Sequence, residues 1–337
     1  MITRLLRFGL LAALVLVTIA VSRSGLVDGL RGATAPAASI ESPSPFRALV
    51  VLPEDGPESI IGELESARYS IDLYVYLLPS DEILSSLSRA HARGVTIRVI
   101  LERDPFGGGN SNQASFDRLQ AMGIRVKWAD DQFRFIHIKM MLVDGTTALI
   151  MTFNLAHSAL TQNREFAVVT TEPADVSQVT ELFEADWAGD PFVSVPPLVT
   201  SPDNSRLVTS ELIDAATVSV DIYAEVIRDG DIRASLIRAA QNGVRVRILV
   251  PQSPAGDDQL LYRELTANGI EIRLLADVYS HAKAIVVDGN RAFVGSQNLT
   301  GTSLDENREL GIILTDSANL ARLNAVFEAD WANSPPF

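Results

Sequence analysis

The 337-residue chain has no cysteine, which excludes thiolate nucleophiles, cysteine-based zinc sites and disulfides. This does not fix a compartment, since many exported proteins also lack cysteine. Histidine is scarce, at four residues, so each can be weighed singly. Positive charge is in deficit: 28 Lys and Arg face 42 Asp and Glu, a net charge of −14. The first 45 residues carry four basic and two acidic side chains; without them 24 face 40, a charge of −16. A body this acidic repels polyanions unless its basic residues are gathered in one cleft. The glycine run Gly107–Gly109 matches neither G-x-G-x-x-G nor a loop ending in Gly-Lys-Ser/Thr, so no nucleotide fingerprint is read there. It reads instead as a mobile loop near the site. Hydrophobic residues make up 47%, enough to rule out general disorder and to fill two cores of ordinary domain size.

The N-terminus has the order of an export signal. Arg4 and Arg7 precede an uncharged apolar run from Phe8 to Val21. Residues 1–35 therefore read as a signal peptide or, counting Leu5 and Leu6 into the run, as an uncleaved membrane anchor. Small residues in Ala33–Ser39 offer a cleavage region, residues 36–45 read as a linker, and folding is expected to start near Phe46. The expected location is outside the cytoplasm: periplasmic, extracellular, or anchored with the body outside.

The rest of the chain is a duplication. A shift of 144 carries His137, Lys139, Asp144, Asn154, Asn163 and Glu165 onto His281, Lys283, Asp288, Asn298, Asn307 and Glu309, and "FEADW" at Phe183–Trp187 onto the same five letters at Phe327–Trp331. Upstream, "SIDLYVY" from Ser70 matches "SVDIYAE" from Ser219, and "GVTIRVILE" from Gly94 matches "GVRVRILVP" from Gly243, both at a shift of 149. Two homologous halves follow, 46–195 and 196–337. In each, amphipathic helices alternate with apolar strands, which predicts an α/β fold with helices on both faces of a sheet. Asp144-Gly145 and Asp288-Gly289 between apolar runs predict hairpins, so the sheets should be mixed. The expected architecture is two α/β/α sandwich halves related by a pseudo-twofold axis, with the site at their interface.

Residues two apart on a strand share a face, so His137 and Lys139 should project together, as should His281 and Lys283. A lysine in an apolar strand is costly unless an anion meets it. One such pair would be an unremarkable strand edge. Two in register, each followed by the same asparagine and glutamate, point to function. Brought together, the halves supply two histidines, two lysines and two asparagines, a donor cluster suited to a phosphate. One neutral imidazole can attack phosphorus while the other, protonated, protonates the leaving alkoxide. No carboxylate cluster with metal-ligand spacing accompanies the histidines, and neither metal nor cofactor is implied.

The pattern H-x-K-x4-D-x6-G-S-x-N, present as "HAKAIVVDGNRAFVGSQN" from His281, resembles that of the phospholipase D superfamily, and two copies in one chain are that family's usual arrangement. The resemblance covers nearly everything after residue 46. It implies a phosphodiesterase working through a phosphohistidine, with His137 as nucleophile and His281 as general acid. Lys139, Lys283, Asn154 and Asn298 would bind phosphoryl oxygens, together with the hydroxyls of Thr152 and Ser296. Glu165 and Glu309 would orient the histidines, and Asp144 and Asp288 would support the turn. The first copy departs from the pattern at "MTFN", where Met151 replaces glycine and Thr152 replaces serine; the methionine is expected to narrow the site or shift its strand.

The superfamily includes phospholipases, phosphatidyl transferases and nucleases. The export segment and the apolar residues Phe133, Phe135, Ile136, Val278 and Tyr279 beside the motifs favour a phospholipid substrate at a membrane surface, with the phosphatidyl group hydrolysed or transferred. The acidic body argues against a nuclease, yet Arg125, Lys127 and Arg134 near the first motif leave an exported nuclease as the alternative. A head-group-binding module without catalysis is a third reading. His91 and His157 read as solvated, the latter nearer the site mouth, and Trp187 and Trp331 as packing anchors. Both motifs lie in one chain, so a monomer suffices for a complete site.

Overall fold

A computed structural model describes residues 44–106 and 112–337. The segment 1–35, residues 36–43 of the linker and the Gly107–Gly109 run lie outside the described residues. The first half runs β1 (Arg47–Leu52), α1 (Glu58–Ser66), β2 (Ser70–Val75), α2 (Asp81–Ala92), β3 (Thr96–Leu101), α3 (Gln113–Ala121), β4 (Arg125–Trp128), β5 (Lys139–Val143), β6 (Thr147–Met151), α4 (His157–Thr161), β7 (Asn163–Thr170) and α5 (Pro173–Ala188). The second runs β8 (Leu198–Ser201), α6 (Ser205–Asp214), β9 (Ser219–Tyr223), α7 (Gly230–Gln241), β10 (Arg245–Pro251), α8 (Gly256–Ala267), β11 (Glu271–Leu275), β12 (Tyr279–Ser280), β13 (Ala284–Val287), β14 (Arg291–Gly295), α9 (Gly301–Asp305), β15 (Glu309–Leu314) and α10 (Ser317–Asn333).

The strand orders are β1-β7-β6-β5-β2-β3-β4 and β8-β15-β14-β13-β9-β10-β11, the same path twice. Along each path the βα-linked neighbours pair in parallel and the other neighbours antiparallel, and the short β12 adds to β7 of the first sheet in parallel, so both sheets are mixed as the hairpin signals predicted. The leading strands β1 and β8 escaped the sequence reading, because a six-residue and a four-residue segment carry no periodicity of their own. The hairpin turns have positive φ at both central residues: Asp144 and Gly145 at 54° and 63°, Asp288 and Gly289 at 51° and 65°. That geometry matches the right-handed twist of the flanking strands, and aspartate tolerates it better than most residues.

Helices α1 to α3 bury Ile60, Leu64, Ile83, Leu87 and Leu119 on the outer face of the first sheet. α2 is started by Ser80, whose hydroxyl accepts the Ile83 N–H, and α7 by Asp229, which accepts from Asp231 and Ile232. The inner faces of the two sheets meet in one continuous core: Tyr74, Met140, Ile150 and Phe166 pack with Tyr223, Val286, Val294 and Leu310, flanked by Phe183 of α5 and Phe327 of α10. The halves are therefore not independent sandwiches side by side, for each covers the other's inner sheet face.

The repeated "FEADW" ties this arrangement together. Phe183 stacks on Trp187 and Phe327 on Trp331, one helical turn apart. Arg98 of β3 and Arg247 of β10 lie over those rings and pair with Glu184 and Glu328, each at 2.6 Å. The aspartates cross between halves: Asp186 binds Arg308 through two 2.8 Å bonds, and Asp330 binds Arg164 at 2.7 and 2.9 Å. The tryptophans pack as expected; the charged letters of the motif hold the halves in register.

Candidate active site

Both histidines lie just before a strand rather than on one, since β5 begins at Lys139 and β13 at Ala284. The segment ahead of each leaves its own sheet and pairs with the opposite half. Ile136 bridges Arg308, and the His137 N–H donates to the Arg308 carbonyl at 2.9 Å. In the other direction β12 runs parallel to the start of β7, Tyr279 against Asn163 and Ser280 against Arg164. Each histidine is thus delivered beside the glutamate that follows the paired arginine.

His137 Nδ1 meets Glu309 Oε2 at 2.8 Å in a hydrogen bond. His281 Nδ1 lies 2.7 Å from Glu165 Oε1, at ion-pair distance but without hydrogen-bond alignment. Both carboxylates are fully buried. The side chain of Ser303 donates to Glu309 Oε1, and Asn307 donates to the same oxygen at 3.0 Å; Thr152 Oγ1 donates to Glu165 Oε2 at 2.6 Å. With Nδ1 engaged, Nε2 of each ring is left for chemistry. A cavity of about 330 Å³ is lined by His137, His281, Asn154, Asn298, Glu225 and Tyr76, among others. Among the described residues no group of three or more His, Asp or Glu side chains has the geometry to hold a metal ion.

Lys139 and Lys283 are buried, and each donates to the carbonyl of its own histidine at 2.6 Å. Burial pushes the Lys139 ammonium down to about 7; Glu309 opposes the shift and Lys283 adds to it. Burial also lowers His137 below its ordinary value, against Glu309 and together with Lys139 and Lys283, which favours the neutral imidazole. Glu309 is pulled the other way: burial raises it, but the charges of His137 and Lys139 and the hydrogen bonds from His137 and Ser303 leave it below the ordinary carboxylate range.

Asp144 and Asp288 sit away from the cavity. Asp144 accepts N–H groups from Arg68, Tyr69 and Ser70, and Asp288 from Thr217, Val218 and Ser219, which fastens each hairpin to the strand beside it. Substrate contact expected of Thr152 and Ser296 does not fit. Both are wholly buried: Thr152 serves Glu165, and Ser296 accepts the Leu310 N–H at 3.0 Å.

The expectation that Met151 narrows the site is also corrected. Met151 points into the outer core of its half. Its counterpart Gly295 is required by packing, since a methyl group there would lie 2.5 Å from the Gly311 Cα and 2.7 Å from the Phe293 ring. The first half fills the same volume with Met151, Leu149 and Ala167 in place of Gly295, Phe293 and Gly311. Of the apolar residues considered for a lip, Ile136 is core, Phe133 and Val278 pack on it, Phe135 lines the cavity with Phe106, and Tyr279 is exposed. His157 opens α4 on the surface, and His91 is partly buried on α2.

Two site residues escaped the sequence reading. Glu102 accepts the Ile136 N–H at 2.6 Å and so fixes the segment carrying His137. Glu225 lines the cavity and pairs with Lys283 at 2.9 Å. It ends the very segment used to align the halves, where Tyr76 stands opposite it; the swap of tyrosine for glutamate was visible but had no neighbour in sequence to mark it as part of a site.

Two open, glutamate-backed histidines on duplicated mixed sheets define a class of two-half, histidine-centred phosphoryl sites. Residues 60–187 and 209–331 match the family model described as "Cardiolipin synthase, PLD-like domain", and the chain belongs to the phospholipase D superfamily. It is 26% identical over 332 residues to a cardiolipin synthase of Geobacillus kaustophilus (strain HTA426), covering 83% of this chain and 65% of that one. A cardiolipin synthase of Listeria monocytogenes serotype 4a (strain HCC23) is 24% identical over 326 residues, with 82% and 67% covered. The chain thus spans about two thirds of the length of these relatives. In fold it is similar to phosphatidylserine synthase from Haemophilus influenzae Rd KW20, with a TM-score of 0.68 and 12% identity over 86% of this chain and 87% of that one. Polyphosphate kinase from Porphyromonas gingivalis gives a TM-score of 0.69 and 18% identity, covering 85% of this chain and 47% of that one.

Proposed function

We propose that this protein is a phosphodiesterase of phospholipase D type that acts on the phosphatidyl group of phospholipids. The observation that carries the reading is the crossed pair of histidine–glutamate contacts around one cavity, because it presents two Nε2 atoms to a single substrate. His137 Nε2, neutral, attacks phosphorus; the bond from phosphorus to the leaving oxygen breaks, and His281 gives that oxygen its proton. His281, now neutral, takes a proton from water or an acceptor alcohol, whose oxygen attacks phosphorus and releases His137. In this reading Lys139, Asn154 and Asn298 hold phosphoryl oxygens.

Transfer to an alcohol is favoured over hydrolysis, since the sequence relatives are named as synthases. Residues 1–35, read as an export signal or anchor, would bring the body to a membrane surface. The nuclease alternative is weakened by the fate of its basic rim. Lys127 Nζ is spent on the carbonyls of Asp186 and Trp187, Arg125 lies over the Trp187 ring, and Arg134 faces a pocket lined by Glu102, Asp104, Asp130 and Asp131.

The test offers the full-length chain labelled phosphatidylglycerol vesicles and a labelled single-stranded oligonucleotide in EDTA, with His137→Ala and His281→Ala as controls. Histidine-dependent release or exchange of the lipid head group, with acid-quenched label on His137, is expected. Cleavage of the oligonucleotide alone would replace this reading with the nuclease.

A further inference from the structure

The two halves differ where substrate phosphate must bind. In the second half the Glu225 Oε2 atom is 2.9 Å from Lys283 Nζ, 3.3 Å from Asn298 Nδ2 and 3.6 Å from His281 Nε2. These are the three donors that half would offer a phosphoryl oxygen. In the first half the matching residue is Tyr76, which is neutral. Its ring faces Lys139 Nζ at 5.2 Å, while its hydroxyl accepts the Phe106 N–H. Among the described residues Lys139 has no ion-pair partner and the Asn154 amide donates no hydrogen bond to the protein. One half is open to an anion, and the other already holds one.

Charge decides what this means for a ligand. The buried centre holds the ammoniums of Lys139 and Lys283 against the carboxylates of Glu165, Glu309 and Glu225. A phosphoryl group approaching Lys283 meets Glu225 at like charge, and the repulsion grows with the ligand's own charge. A phosphodiester carries one negative charge, whereas a monoester or inorganic phosphate carries up to two.

We propose that Glu225 is a resident anion of the second half's phosphoryl subsite, and that it selects monoanionic diesters over dianionic monoesters and free phosphate. The inference rests on the phosphoryl-binding reading above and adds to it a specificity residue and a reason for the asymmetry of the halves. The diester gains its hold chiefly from Lys139 and Asn154. The monoester that hydrolysis would leave brings more charge and is disfavoured, whereas transfer to an alcohol gives another monoanionic diester that the subsite accepts as it does the substrate.

The test is equilibrium binding by calorimetry on the full-length protein at pH 6.5, with inorganic sulfate as the dianion and diethyl phosphate as the monoanionic diester. Glu225→Gln, which keeps the shape and a hydrogen-bonding group for Lys283, is compared with Glu225→Ala, and melting temperatures establish that both fold. We expect the sulfate Kd to fall about tenfold in Glu225→Gln and the diethyl phosphate Kd to fall distinctly less. A sulfate Kd unchanged or raised in both folded variants, with wild type still binding diethyl phosphate, overturns the role of Glu225 and leaves the phosphoryl site standing. If neither ligand binds any of the three proteins, the phosphoryl-binding reading itself fails, and the role of Glu225 with it.

Discussion

His137 Nδ1 and Glu309 Oε2 lie 2.8 Å apart although 172 residues separate them in sequence. Each half sets a carboxylate against the other's histidine, so neither half holds such a pair by itself. The cause is local: the segment ahead of each histidine pairs with the opposite half's glutamate strand, and the backbone bond from His137 to Arg308 sets the register one residue from Glu309.

Removing the charge of that carboxylate should therefore damage catalysis before stability. For Glu309→Gln we expect kcat to fall roughly 10²-fold or more, the scale of a general acid or base contribution. Glu309 raises the His137 pKa against burial, so its loss lowers that pKa further. The acid limb of the kcat/KM profile, which follows deprotonation of His137, should move to lower pH. A fall in rate with an unmoved acid limb would mean that Glu309 acts only as packing.

Lys139 gives a pH dependence of opposite sense. Its pKa of about 7 lies below that of the same group in the unfolded chain. Between about 7 and the ordinary lysine value the unfolded chain binds the extra proton, so stability rises with pH there, at up to about 1.4 kcal/mol per pH unit for one group. Relative to Lys139→Met, wild type should gain melting temperature from pH 6.5 to 9. Over the same range its affinity for diethyl phosphate should fall, because the ammonium that binds the anion is lost. Parallel curves for the two proteins would contradict both expectations.

Asp144 and Asp288 should matter to stability far more than to rate. Each aspartate is itself at positive φ, and its carboxylate accepts three backbone N–H groups from the neighbouring strand and the residues before it. Alanine at either position loses those charge-assisted bonds and strains the turn, for an expected loss of about 2–4 kcal/mol by denaturant titration. Asparagine, which tolerates the same φ, should lose less. A kcat at low temperature that drops along with stability would give the aspartate a part in the site.

Much of this was legible in the chain because duplication turns weak signals into strong ones. A single H-x-K means little, but two in register with Asn154 and Glu165 answered by Asn298 and Glu309 pointed to the candidate site, and the repeated Asp-Gly turns pointed to the mixed sheets. What escaped was carried by contacts between the halves. Which glutamate serves which histidine, the crossing of Asp186 to Arg308, and Glu225 on Lys283 all depend on how one half lies on the other, and no periodicity encodes that. Thr152 and Ser296, expected as phosphoryl-binding hydroxyls, are buried for a related reason: a hydroxyl in a motif can serve a buried carboxylate or a backbone N–H as well as a ligand.

The departure at Met151 makes the last prediction. Since its side chain fills the outer core, restoring the family glycine should not improve the site. Met151→Gly leaves a cavity, with an expected cost of about 2–5 kcal/mol, and no gain in kcat/KM. The reverse change in the other half, Gly295→Ala, drives a methyl group into Gly311 and Phe293, at about 1–3 kcal/mol or more. Adding Phe293→Leu, the residue type that stands beside Met151 as Leu149, should return part of that loss. The double-mutant coupling is expected at about 1 kcal/mol. Strict additivity of the two changes would show that the halves did not reach their different residues at these positions by exchanging volume.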